Sequence, residues 1–159
     1  MPLFPAYRSC CRALPFVLEW NGPDVHPKED YVKREAVSIP GAPKPVGPFS
    51  PAIKAAGFVF ASGQLPLDAK GVMPEGIAAQ TRQCLDNLKA VFEASGTELG
   101  NVVKCTVFIK NMDDFAKMNE VYAAAFGDAR PARSTVAVRT LPVGGRVEVE
   151  AVGLVDPEA

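Results

Sequence analysis

The run Val102-Val103-Lys104-Cys105-Thr106-Val107-Phe108-Ile109 constrains the fold of this chain more than any other segment. Its β-branched residues read as a strand, yet apolar side chains fall on adjacent positions, Val102 beside Val103 and Val107 beside Phe108. Successive strand side chains point to opposite faces of a sheet, so both faces of this one need cover. One cover lies within the chain. Ile77, Thr81, Cys84, Leu85, Leu88, Val91 and Phe92 recur at three- and four-residue steps and give a helix with one apolar stripe. Pro74 and Glu75 suit its first turn, and Gly96 its stop. A second helix starts near Asn111 or Asp113, carries Phe115, Asn119, Tyr122 and Phe126 on one face, and ends at Gly127. For the other sheet face, self-association is the economical cover.

The remaining elements complete an α+β pattern. Phe49 to Ala55 reads as a first strand, Ala56-Gly57 as its turn, and Phe58 to Gly63 as a second strand. Gly63-Gln64-Leu65-Pro66 and Asp68-Ala69-Lys70-Gly71 break the pattern and mark a loop. Two last strands, roughly 132–140 and 146–155, are joined by Leu141-Pro142-Val143-Gly144-Gly145. The order is strand pair, helix, strand, helix, strand pair, with both helices on one face of a mixed sheet. Residues 1–40 differ: Pro2, Pro5, Pro15, Pro23, Pro27 and Pro40 interrupt them, and they show no steady period. They read as an irregular N-terminal extension, and the compact domain as residues 41–159. Arg8 and Arg12, with no acid before Glu19, hint at an organelle-targeting peptide, which would place the protein in a mitochondrion or plastid. The prolines and the scarcity of serine weigh against that, and untranslated-region sequence read as protein is an equal alternative.

Composition narrows the function classes. The 159 residues suit a single domain, and 17 basic against 18 acidic residues leave no basic stripe for extended nucleic-acid binding. With 48% hydrophobic and 22% charged residues the chain reads as globular, and no apolar run is long enough for a membrane span. Cys10, Cys11, Cys84 and Cys105, with His26 the only histidine, lack paired metal-ligand spacing. Cys84, in a helical pattern, and Cys105, in a strand pattern, read as buried free thiols, and a reduced, cytoplasmic setting fits.

Chemistry concentrates near the C-terminus. Pro131-Ala132-Arg133-Ser134-Thr135 and Val147-Glu148-Val149-Glu150-Ala151 put charges into strand patterns. A desolvated charge costs several kcal/mol unless it is paired or serves a ligand. Arg133 offers a planar fork suited to a carboxylate, and Glu148 could hold a water or a proton. The same residues also fit a solvated face with structural ion pairs. If the last two strands closed as a symmetric hairpin over residues 141–145, Arg133 would lie opposite residue 153. That is five positions from Glu148, or roughly 16 Å along the ladder. A second subunit or an irregular register would then be needed to bring them together.

Several motifs, in order, carry a resemblance. They are Gly47-Pro48-Phe49-Ser50, Ala61-Ser62-Gly63-Gln64-Leu65-Pro66, Gln80-Thr81-Arg82-Gln83-Cys84-Leu85-Asp86-Asn87-Leu88, Val107-Phe108-Ile109-Lys110, Met118-Asn119, Pro131-Ala132-Arg133-Ser134 and Val147-Glu148-Val149-Glu150-Ala151. Over roughly residues 41–155 the chain resembles the reactive-intermediate deaminases (RidA, also called YjgF). The resemblance implies a chorismate-mutase-like α+β fold and a homotrimer with clefts between subunits. It implies hydrolysis of 2-imino acids or their enamine tautomers, such as 2-iminobutanoate and 2-iminopropanoate, to 2-oxo acids and ammonia. Pyridoxal-phosphate enzymes such as serine/threonine dehydratase release these compounds, and the deaminase itself needs neither metal nor organic cofactor.

By matched position, the resemblance makes Arg133 the carboxylate clamp and Glu148 the residue that positions or activates water. Glu150, on the same strand face, is assigned to structure. Asn119 matches a cleft asparagine that either contacts substrate or serves its helix. Ser62 matches a serine that either reaches the imine nitrogen or bonds backbone. Phe49 stands where many members carry tyrosine, which keeps an aromatic wall and removes a hydroxyl. Thr135 stands where some bacterial members carry cysteine, which leaves the backbone there as the carboxylate contact. Two other function classes share such a cleft: a non-catalytic small-molecule-binding module and an RNA-cleaving translation inhibitor. Arg133 together with Glu148 favours the enzyme; the near-zero net charge and lone His26 give the RNA reading little physical support.

Overall fold

The computed structural model describes residues 33–41, 45 and 47–155. The stretch with Arg8 and Arg12, Cys10, Cys11, His26 and most of the irregular extension lie outside the described residues. In chain order the elements are β1 (Glu35–Val37), β2 (Ala52–Ala55), β3 (Phe58–Gln64), α1 (Ile77–Ala94), β4 (Val102–Ile109), α2 (Phe115–Phe126), β5 (Ala132–Ala137) and β6 (Val147–Leu154). The strands form one six-stranded sheet in the order β1-β2-β3-β6-β4-β5. β4 and β5 run parallel, and every other neighbouring pair is antiparallel. The fold is α+β, with a mixed sheet and two α-helices.

The last two strands do not form a hairpin. β4 stands between them, pairing Cys105 with Arg133 on one side and with Ala151 on the other. The cause is α2. A helix between two strands returns the chain to the end where β4 began, so β5 starts parallel to β4. β6 then runs back into the gap between β3 and β4. The sheet also begins upstream of Gly41, because Glu35–Val37 pairs with Ala52–Lys54 and Val37 is buried. A strand of three residues is too short to display alternation in sequence. Phe49 to Pro51 likewise precede β2 instead of opening it.

Both helices follow their apolar periods. α1 buries Ile77, Thr81, Cys84, Leu85, Leu88, Val91 and Phe92. Pro74 and Glu75 lie ahead of this helix, since Gly76 at its N-cap takes φ 80° and keeps the chain non-helical up to Ile77. α2 is entered through a short 3-10 turn, Met112–Asp114, capped by the Asn111 side chain, which accepts from Asp113 N at 3.1 Å. It buries Met118, Val121, Tyr122 and Phe126. Against the helices the sheet presents Val59, Ala61, Cys105, Val107, Ile109, Val147, Val149 and Ala151, all buried. Full burial of a side chain such as Leu88 or Phe92 stabilises by about 2–3 kcal/mol.

The opposite sheet face has no cover within the described residues. Phe58 pairs with Leu154, Phe60 with Val152, and Phe108 with both Val136 and Glu148. Phe60 remains 47% exposed, Leu154 44% and Val136 43%. These are the apolar residues that two-sided alternation leaves without a partner inside the chain.

Candidate active site

The structure divides the expected site residues into two groups. The first lies where β5 meets α2. Phe115, Asn119 and Tyr122 occupy positions i, i+4 and i+7 of α2 and therefore one helix face. Arg133 shares the row of Cys105, whose side chain is buried beneath the helices, so Arg133 also points toward the helix layer. Its guanidinium carbon sits 4.4 Å from the centre of the Tyr122 ring and 5.6 Å from that of Phe115. Its Nη2 donates to Asn119 Oδ1 at 2.8 Å. Two aromatic faces and one amide acceptor hold the fork in a single orientation, and cation–π contacts of this kind contribute about 0.5–2 kcal/mol each. No acidic side chain pairs with Arg133 among the described residues, so its charge is free for a ligand.

Thr135 lies two residues further along the same face, in the row of Val107. Its Oγ1 is buried without a hydrogen-bond partner in the described structure. A lone buried hydroxyl costs about 1–3 kcal/mol until a partner reaches it. Beneath these residues, burial pushes both the Tyr122 phenol and the Cys105 thiol upward, and they stay neutral at physiological pH.

The second group lies across β2, β3 and β6. Ser62 Oγ donates to Ser50 O at 2.7 Å, so the hydroxyl is bonded to backbone and keeps only its acceptor lone pairs for a ligand. Phe49 is 56% exposed on the rim of a cleft of about 540 Å³ lined also by Arg34, Ser50, Ile53 and Ser62. β3 carries a bulge here: Ala61 pairs with Ala151 and Gln64 with Val149, leaving Ser62 and Gly63 opposite Glu150. Such two-against-one irregularities re-aim side chains and are frequent beside active sites. Gln64 Nε2 braces the bulge by donating to Ser62 O at 2.8 Å. The Glu148 carboxylate lies against Gly63. Burial first, and Glu150 second, raise its pKa above the usual carboxylate range. A carboxylate that holds its proton more firmly than usual suits proton transfer near neutral pH.

Within one chain the two groups do not meet. Glu148 pairs with Phe108 and shares the uncovered face, whereas Arg133 points to the helix face. Their rows are also three residues apart along β4, from Cys105 to Phe108, or about 10 Å. Sequence reasoning selected Arg133, Asn119, Thr135, Ser62, Phe49 and Glu148, and it missed Tyr122 and Gly63 as supports. The signal for Tyr122 was present: Asn119 is a polar residue inside the apolar stripe that contains it. Nothing in the sequence marks Gly63 as lying beneath Glu148, because that neighbourhood depends on the bulge.

The Gln80–Leu88 motif serves architecture. Gln80 accepts the Arg146 N–H at 2.8 Å and donates to Pro74 O at 3.0 Å, while Asn87 Nδ2 donates to Leu65 O and Leu67 O, both at 2.9 Å. These bonds fix the loop after β3 and the start of β6, and through them the frame around the second group.

Residues 40–155 match the family described as Endoribonuclease L-PSP. A RutC family protein from Pyrococcus horikoshii is 51% identical over 121 residues, covering 75% of this chain and 96% of that protein. The 2-iminobutanoate/2-iminopropanoate deaminase of Escherichia coli K12 is 40% identical over 124 residues, covering 76% of this chain and 97% of that one. Among solved structures, E. coli TdcF with bound serine superposes with a TM-score of 0.72 at 35% identity, covering 77% of this chain and 99% of that chain.

Proposed function

The chain belongs to the Endoribonuclease L-PSP family, which includes the RidA/YjgF deaminases, and from that membership we propose that it hydrolyses 2-imino acids and their enamine tautomers. The substrates are compounds such as 2-iminobutanoate and 2-iminopropanoate, and the products are 2-oxo acids and ammonia. One observation carries the reading: an arginine fork held by Tyr122, Phe115 and Asn119, with no acidic partner among the described residues, in a chain that also holds a partly buried carboxylate of raised pKa.

Arg133 binds the substrate carboxylate through two charge-assisted hydrogen bonds, with Thr135 beside it and Asn119 at the edge. Glu148 takes a proton from water as the oxygen adds to C2, and the C=N bond becomes a C–N single bond. The same carboxyl returns that proton to nitrogen, which completes a carbinolamine; it then takes the hydroxyl proton and passes it to the amino group as the C–N bond breaks, so ammonia leaves and the C=O bond of the 2-oxo acid forms. Ser62 accepts a hydrogen bond from the imine N–H or from the water, and Phe49 forms an aromatic wall at the mouth. Because Arg133 and Glu148 point to opposite faces of one sheet, each site takes them from two copies of the chain. The uncovered face then packs at the centre of a homotrimer, in the chorismate-mutase-like arrangement. The domain proper comprises the sheet and helices from β1 onward.

The test generates the imine in situ with an amino-acid oxidase and follows 2-oxo acid release with and without the protein. Acceleration at catalytic protein concentrations is expected. Binding of 2-oxobutanoate without acceleration would make the cleft a ligand-binding module, and salt-sensitive RNA binding with cleavage would make the chain a nuclease.

A further inference from the structure

We infer that Gly63 is a positioning residue whose missing side chain seats the Glu148 carboxylate, an inference that rests on the water-activating role proposed for Glu148. Gly63 is absent from the glycines of positive φ, so its backbone is open to an L-residue. What the position needs is space. A Cβ built there collides with Oε1 and Cδ of Glu148 and presses on its Cγ. The carboxylate therefore occupies the volume that any other residue at 63 would fill.

Two residues flank Glu148 on its face of the sheet. Phe108 stands beside it as its cross-strand partner on β4. Glu150, two residues along on the same face, repels it. The bulge that brings Gly63 under the carboxylate is fixed on three sides: Ser62 N bonds Pro51 O at 2.9 Å, Ser62 Oγ bonds Ser50 O at 2.7 Å, and Gln64 Nε2 bonds Ser62 O at 2.8 Å. The floor cannot yield readily, so an alanine at 63 displaces the carboxylate and leaves the strand in place. Misplacing a reacting group by about 1 Å can cost about 10²-fold in rate.

The experiment compares wild type, Gly63→Ala, Glu148→Asp and the double variant in the imine assay, alongside calorimetric binding of 2-oxobutanoate. Gly63→Ala should lower kcat about 10²-fold, while the Kd for 2-oxobutanoate changes by less than about threefold, because Arg133 lies in the other group of residues. Aspartate is one methylene shorter and clears the added methyl. Glu148→Asp should therefore lower kcat in the wild type and raise it in the Gly63→Ala background. A second readout needs no turnover: Gly63→Ala should lower Tm in the wild type and leave it unchanged in a Glu148→Ala background. Unaltered kcat in Gly63→Ala, or an equal loss of Tm in both backgrounds, overturns the role of Gly63. A wild-type protein without turnover overturns the deaminase reading instead, and the Tm pair still reports whether the carboxylate rests on Gly63.

Discussion

Arg133 shows how a surface-edge charge becomes a tool. Stacking on Tyr122 and bonding to Asn119 fix its plane, and among the described residues no acidic side chain pairs with the remaining fork donors. Arg133→Ala should abolish turnover while preserving circular dichroism and assembly, since removing one partner of a desolvated ion pair costs about 2–5 kcal/mol of ligand binding. Lysine should restore little, because it supplies a point charge and no fork. Near-normal turnover by the alanine variant would take Arg133 out of the mechanism. Glu148→Gln should lower kcat far more than it weakens 2-oxobutanoate binding. Glu148 also predicts a pH signature. Its pKa is higher folded than unfolded, so the folded chain holds this proton more tightly. The contribution to stability is complete below the ordinary glutamate pKa and is lost as pH rises through the raised value. Glu148→Gln should consequently gain Tm relative to wild type as the pH rises above the ordinary glutamate pKa of about 4.3. In the wild type, turnover should fall on acidification at a pH above the ordinary carboxylate range. An acid limb at the usual carboxylate pKa would contradict the burial argument.

Elements were legible in proportion to their length and period. The seven-residue stripe of α1 and the β-branched run of β4 define their structures without help. β1, with three residues, left no pattern to read. The order of strands was less accessible still. Two strands joined by a short loop suggest a hairpin, and only the parallel return through α2 explains why β4 lies between β5 and β6. That order decides the site, because the side chain of Arg133 follows Cys105 to the helix face while Glu148 follows Phe108 away from it. Candidate residues could be picked from the sequence, and their grouping could not. Element packing carries its own prediction. A Cβ on Gly153 of β6 would collide with the ring of Phe92 on α1, and it would also crowd Asn101 O at 3.1 Å. Gly153→Ala should destabilise the fold by about 1–3 kcal/mol through overpacking, seen as a lower midpoint in urea with an unchanged slope. A neutral effect would mean that α1 can slide on the sheet.

At the scale of the whole molecule, the uncovered face and the divided site make the same demand. Phe58, Phe60, Val136 and Leu154 expose an apolar surface that isolated proteins rarely keep, and the proposed reaction draws on Arg133 and Glu148, which one chain turns to opposite faces. Light scattering should give about three chains per particle, and dilution or an interface charge that yields monomers should erase activity. A fully active monomer would refute the arrangement. The opposed directions of Arg133 and Glu148 have a genetic consequence too. An Arg133→Ala chain still carries an intact Glu148, and a Glu148→Gln chain still carries an intact Arg133. If each site draws one residue from each of two neighbours, co-refolding the two dead variants in equal amounts should revive about a quarter of the sites. Two alleles that each fail alone would then complement one another in a single cell.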